Sequence, residues 1–208
     1  MPPRQSRLAL PSAWVLALLS LPLLLLAPRA AARAAYALSP TVPGVSAIVI
    51  DAQTGDVLSQ IDADAPRYAA SLTKLMTLYL AFQALRDHRI TLQSVVPVSA
   101  HAASMEPVKL GLRPGWYFTV GQAIDGMVTL SANDAASALG EYLGGSESRF
   151  AQMMTLRAHA MGMWHTTFVN ASGLPGAGQI TTARDIAILA RRLILDFPQY
   201  YHYFSLHS

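Results

Sequence analysis

The chain places its strand-like residues first and its helix-like residues afterwards, an order that excludes most architectures. Val45 to Ile50 (VSAIVI) is apolar and β-branched, Asp51-Ala52-Gln53-Thr54-Gly55-Asp56 is turn-like, and Val57 to Ile61 resumes the extended pattern. This predicts a β-hairpin. Ala69-Ala70 lead into a stretch from about Ser71 to Leu85, in which Leu75, Leu78, Phe82 and Leu85 recur at helical spacing. Thr91 to Val98 reads as extended, and Gly111 to Gly115, with Pro114, reads as a loop. Four further helices are expected: Val120 to Val128; Asn133 to Leu143, stopped by Gly144-Gly145; one capped by Ser146 and running to about Met161, closed by Gly162; and one started by Thr182 and Asp185 that ends before Pro198. Strands followed by a block of helices define an α+β class rather than a parallel βαβ array. The closing aromatic stretch, Tyr200 to Ser208, resembles a strand just beginning. A hairpin alone does not make a stable sheet, so the domain is expected to be incomplete at its C-terminus.

The overall basic charge has a local origin. The chain has 15 basic and 12 acidic residues, but Arg4, Arg7, Arg29 and Arg33 all fall in the first 34 residues, where no acid occurs. Without them 11 basic residues face 12 acidic ones, so the charge gives no footprint for nucleic acid. Arg4 and Arg7, the uncharged leucine-rich run Leu8 to Ala27, and the small residues from Ala30 to Ala37 have the three-part layout of a secretory signal. An uncleaved anchor is the alternative, because 20 uncharged residues just span a bilayer. Pro11 and Pro22 and the alanines that follow favour cleavage, at an undecided bond between about residues 32 and 37. Residues 1–37 are therefore expected to be a signal peptide and residues 38–208 the folded domain. The protein contains no cysteine, which excludes disulfides, thiolate metal sites and cysteine nucleophiles.

Ser71 and Lys74, three residues apart at a helix start, share one face. A serine hydroxyl is a weak nucleophile until a base takes its proton, and a lysine serves as that base only when neutral. Its reference pKa of about 10.4 must fall by about three units, which burial is able to supply; Leu75 and Leu78 are placed to form part of a dry wall. The ordinary reading of the tetrapeptide is a capping serine followed by a solvated lysine. Against it, Tyr68, Ala69, Ala70, Leu72, Leu75 and Met76 are apolar or small, and Lys74 is one of two lysines in the chain. Ser131 and Asn133 form a second pair, in Ser131-Ala132-Asn133-Asp134 between two expected helices. Its ordinary reading is again helix capping; its functional reading has Ser131 relaying a proton while Asn133 orients the lysine and holds a substrate peptide group.

Together the two segments resemble the penicillin-binding protein and serine β-lactamase superfamily, whose motifs are S-x-x-K, S-x-N and K-T-G. The context is similar to the D-alanyl-D-alanine carboxypeptidases, on five ordered stretches: Ala70 to Thr77, Lys109 to Gly115, Ser131 to Ala136, Phe168 to Leu174 and Thr181 to Asp185. The resemblance implies a β-lactamase/transpeptidase-like α+β fold, with an antiparallel sheet packed against a helical subdomain. It implies Ser71 as the acyl-enzyme nucleophile, Lys74 as the proton acceptor, Ser131 as a catalytic partner and Asn133 as a substrate-binding residue. It further implies a peptidoglycan stem peptide ending in D-Ala-D-Ala as substrate, β-lactams as acylating ligands, no cofactor or metal, and a place in the periplasm or on the outer face of a bacterial cytoplasmic membrane. Membrane association through an uncleaved leader or a C-terminal anchor is compatible with it. No K-T-G occurs in the 208 residues; in the family that motif lies on a later strand.

Two alternatives stay open. A serine β-lactamase needs a deacylating base, for which Glu141 and Glu147 are the candidates. A non-catalytic envelope protein retains the scaffold and binds peptides. The histidines (His88, His101, His159, His165, His202, His207) lack metal-ligand spacing. Met153, Met154, Met161 and Met163 read as core filler, and Arg191-Arg192 as cations favoured near a helix end.

Overall fold

A computed structural model describes residues 44–206; the expected signal peptide, its cleavage region and the last two residues lie outside them. The hairpin forms as expected. Strand β1 (Ala47–Ile50) pairs antiparallel with β2 (Val57–Ile61), Ala47 opposite Ile61. Its turn is held locally by Asp51, whose Oδ1 accepts from the N–H groups of Gln53 and Thr54, both at 2.8 Å. Gly55 takes the left-handed φ of 82° that closes the turn.

Helix α1 (Lys74–Arg86) follows a 3₁₀ turn over Ala70–Thr73. Its residues are buried on nearly every side, Met76, Ala81, Phe82 and Ala84 completely, as befits a central helix with little polar face. Leu78 is buried and Leu75 packs partly against the core. The extended stretch expected over Thr91 to Val98 shortens to β3 (Val95–Pro97), because Thr91 to Ser94 closes into a turn through Ser94 N–H to Thr91 O. β3 pairs with β4 (Tyr117–Thr119) across the loop and the short helix α2 (Ala100–Ala103).

The helical block then runs in order: α3 (Val120–Leu130), α4 (Asn133–Gly144), α5 (Glu147–Ala160) and α6 (Ala183–Asp196). The caps lie where local chemistry puts them. Thr119 and Gln122 form a capping box, Ser146 accepts from Arg149 N, Thr182 accepts from Asp185 N, and Gly145 ends α4 in the left-handed conformation. Met154 and Met163 are fully buried and Met153 and Met161 pack against the core. Arg191 does more than face a helix end: its guanidinium donates to the carbonyls of Ala52 (2.9 Å) and Gln53 (2.6 Å), fastening α6 to the β1–β2 turn.

The expected strand near the C-terminus is not formed. Residues Pro198–Ser205 wind into a 3₁₀ helix, which brings Tyr200 and Tyr203 to stack on Phe82 at ring-centroid distances of 4.9 and 6.1 Å. Burying those rings against α1 needs the compact winding, whereas an extended chain turns alternate residues away from the core.

Candidate active site

The turn that carries Ser71 is shaped by a contact from far along the chain. Ala70 adopts a left-handed φ of 46°, an uncommon state for a residue with a Cβ, and Ser71 follows it, exposed, in the 3₁₀ turn. Lys74, three residues on, is the first residue of α1. Gly173 presses against this turn. A Cβ built on Gly173 would fall 1.8 Å from the Ala70 carbonyl oxygen, so only glycine allows the approach. A cleft of about 730 Å³ opens here, lined by Tyr68, Ala70, Gly173, Pro175, Gly176 and Gln179 among others.

Lys74 is 3% exposed. Its Nζ donates to Asn133 Oδ1 and to the backbone carbonyl of Ser172, both at 2.7 Å. Both partners are neutral, so no opposing charge offsets the lost hydration, and burial lowers the lysine pKa from 10.5 to about 8. About a tenth of the side chain is then neutral at pH 7. A solvated surface lysine, the ordinary reading of the tetrapeptide, is excluded.

Asn133 opens α4 with its side chain nearly buried. Its Oδ1 faces Lys74, and its Nδ2 donates to the carbonyls of Glu106 (2.9 Å) and Pro107 (3.2 Å). In this geometry the amide orients the lysine and ties it to the 106–112 loop, with no donor left turned toward the cleft. Asp134 pins the same loop: its carboxylate accepts from Leu110, Gly111 and Leu112 N–H at 2.9 to 3.0 Å. Ser131 terminates α3 in the left-handed conformation, φ 57°, and its hydroxyl has no hydrogen-bond partner among the described residues. The N-cap of α4 is Ala132, without a side-chain cap bond, so neither the Ser71 nor the Ser131 hydroxyl caps a helix N-terminus. The second lysine, Lys109, is exposed and directed to the Ala103 carbonyl at 3.4 Å.

Three contributors, Ser172, Thr77 and Gly173, are not marked out individually by the sequence, and a fourth, Glu147, is read there only as a candidate deacylating base. Ser172 acts through its carbonyl, Thr77 Oγ1 donates to Ala171 O at 2.7 Å, Glu147 accepts from Ala171 N–H at 3.0 Å, and Gly173 acts by lacking a side chain. The Phe168 to Leu174 stretch was visible as a matching segment, but backbone acceptors leave no mark on residue type. Among the described residues no group of three or more His, Asp or Glu side chains is placed to hold a metal ion.

The fold is shared with known proteins. The structure superimposes on the D-alanyl-D-alanine carboxypeptidase DacD from Francisella tularensis with a TM-score of 0.77 and 36% identity, covering 80% of this chain and 40% of that one. Penicillin-binding protein D2 from Listeria monocytogenes, solved with ampicillin bound, matches with a TM-score of 0.62 and 30% identity over 77% of this chain and 66% of that one. The molecule is thus of the penicillin-binding-protein class in fold, an α+β architecture of the β-lactamase and transpeptidase type. The D-alanyl-D-alanine carboxypeptidase DacC of Escherichia coli (strain K12) is 38% identical over 185 residues, 86% of this chain and 46% of that protein. The profile of the D-alanyl-D-alanine carboxypeptidase family matches residues 33–208, and the chain belongs to that family. It spans about half or less of the length of the curated relatives it matches first.

Proposed function

We propose that the chain carries the nucleophile and base of a serine-type D-Ala-D-Ala carboxypeptidase. Ser71 Oγ attacks the carbonyl of the penultimate D-alanine in a peptidoglycan stem peptide, and neutral Lys74 takes its proton. The terminal D-alanine leaves as the amine, protonated through Ser131, and water then hydrolyses the Ser71 ester. β-Lactams acylate Ser71 by the same attack on their strained amide. Asn133 holds Lys74 in line, and its side chain meets substrate only once the 106–107 carbonyls release it. The observation that carries this reading is Lys74: buried, held by two neutral acceptors, brought to a pKa of about 8, and three residues from an exposed serine. Residues 1–37 fit a cleaved export signal, which puts the reaction outside the cytoplasmic membrane of a bacterium.

The test is incubation of the full chain with a fluorescent penicillin, followed by mass spectrometry of the labelled peptide. A stable adduct on Ser71 that Ser71→Ala abolishes is the expected result. Fast turnover of the penicillin without an adduct would point instead to a β-lactamase. No reaction by a folded chain would overturn both, and would leave the peptide-binding reading.

A further inference from the structure

We infer that Glu147 is a positioning residue for Lys74, acting through the Ala171–Ser172 backbone. The inference rests on the reading of Lys74 as the base.

Glu147 is the first residue of α5, where an acid favours the helix dipole. That explains a carboxylate at this place but not where its oxygens go. The side chain is 11% exposed and turned inward onto three other segments. Oε1 accepts from Ala171 N–H at 3.0 Å, and Oε2 accepts from Ser137 Oγ on α4 at 3.0 Å and faces His101 Nε2 on α2 at 2.5 Å.

The consequence lies one residue further along. Ala171 and Ser172 are almost wholly buried, so while the segment is seated their backbone groups depend on partners within the protein. Ala171 N–H is held by Glu147, Ala171 C=O by Thr77 Oγ1, and Ser172 C=O by Lys74 Nζ. Thr77 and Lys74 both belong to α1, so the segment is gripped on one side by that helix and on the other by Glu147. If Glu147 lets go, the Ser172 carbonyl is free to swing from the ammonium and water gains access to it. No carboxylate touches Lys74 Nζ among the described residues: the acid beside Asn133, Asp134, is spent on the 110–112 loop. The dryness of Lys74 therefore depends on how firmly this backbone is seated.

The experiment follows the two lysines, Lys74 and Lys109, by NMR titration of the full chain labelled with [ε-¹³C]lysine, with exposed Lys109 as internal reference. In the unsubstituted chain Lys74 is expected to titrate near 8; a titration at the ordinary lysine value would sink the base assignment itself, independently of Glu147. Glu147→Asp keeps the charge at the helix start but is too short to reach Ala171. Lys74 is expected to titrate about one unit higher in this variant, with penicillin acylation at pH 7 about tenfold slower. Glu147→Gln loses the charge but keeps an acceptor for Ala171 N–H, and is expected to stay within a few tenths of a unit. Both variants preserve most of the side-chain volume, and thermal unfolding of each confirms that it is folded. A Glu147→Asp chain with an unmoved Lys74 would overturn the inference. So would a shift in Glu147→Gln alone, which would make helix charge, not backbone seating, the cause.

Discussion

Lys74 Nζ donates to Asn133 Oδ1 at 2.7 Å, joining two helix starts 59 residues apart in sequence. The acceptor is an amide oxygen, and its neutrality is what lets the lysine lose its proton near neutral pH. A carboxylate in the same place would hold the ammonium charged, since an opposite charge at this range shifts a pKa by about one to three units. Asn133→Asp is therefore expected to raise the Lys74 pKa by at least about one unit. Penicillin acylation at pH 7 falls about tenfold or more, and is restored as the pH is raised. An acylation rate equal to that of the parent at pH 7 would contradict this account of the site.

The parent chain has its own pH signature. As the proposed base Lys74 is competent only when neutral, and burial lowers its pKa to about 8. Acylation should rise about tenfold from pH 6 to pH 7, bend near 8 and level above about 9. Stability follows the same group. The unfolded chain keeps the lysine protonated up to its ordinary value, while the folded chain releases the proton near 8, so unfolding takes up a proton between those limits. Relative to Lys74→Met, the parent should become more stable as pH rises from 8 to 10.5. Urea midpoints for both chains across that interval measure it.

Asp134→Ala tests the loop that bears on Asn133. The carboxylate accepts from Leu110, Gly111 and Leu112 N–H, and no neighbouring side chain takes its place. Leaving those donors unpaired is expected to cost about 3 kcal/mol or more, read from urea denaturation. Amide exchange at residues 110–112 should speed up in the same variant, ahead of exchange in α1.

Thr73 gives a change of opposite sign. Its Oγ1 is buried and has no hydrogen-bond partner among the described residues. Thr73→Val keeps the shape and removes the unpaired hydroxyl, which is expected to stabilise the fold by about 1 kcal/mol. A lower urea midpoint for the valine variant would mean that the hydroxyl is satisfied in solution.

The elements that were readable in advance are those whose ends are written in neighbouring residues. Gly145, Ser146 and Thr182 mark helix boundaries by bonds within three or four residues, so their types alone announce them. The features that were not readable depend on distant contacts. The 3₁₀ turn at Ser71 takes its shape against Gly173, and the aromatic C-terminal segment coils because Phe82 is there to receive it. The Lys74–Asn133 pairing is foreshadowed by the two motifs because it is made by side chains, and the roles of Ser71 and Ser131 beside it remain part of the proposed function. The Ser172 carbonyl that shares Lys74 with Asn133 belongs to a peptide group that any residue would supply, and a glutamate at a helix start gives no sign that its oxygen reaches the backbone of Ala171.

The grip of Ser172 on Lys74 closes a loop of 98 residues. Closing so long a loop loses chain entropy before any local contact repays it. During synthesis Ser71 and Lys74 emerge early, yet the lysine stays hydrated and protonated until the 170–173 segment arrives and seats. On the proposed reading of Ser71 and Lys74, reactivity is thus a late product of folding: a nascent chain that has completed only its hairpin and first helix displays the motif without the reactivity.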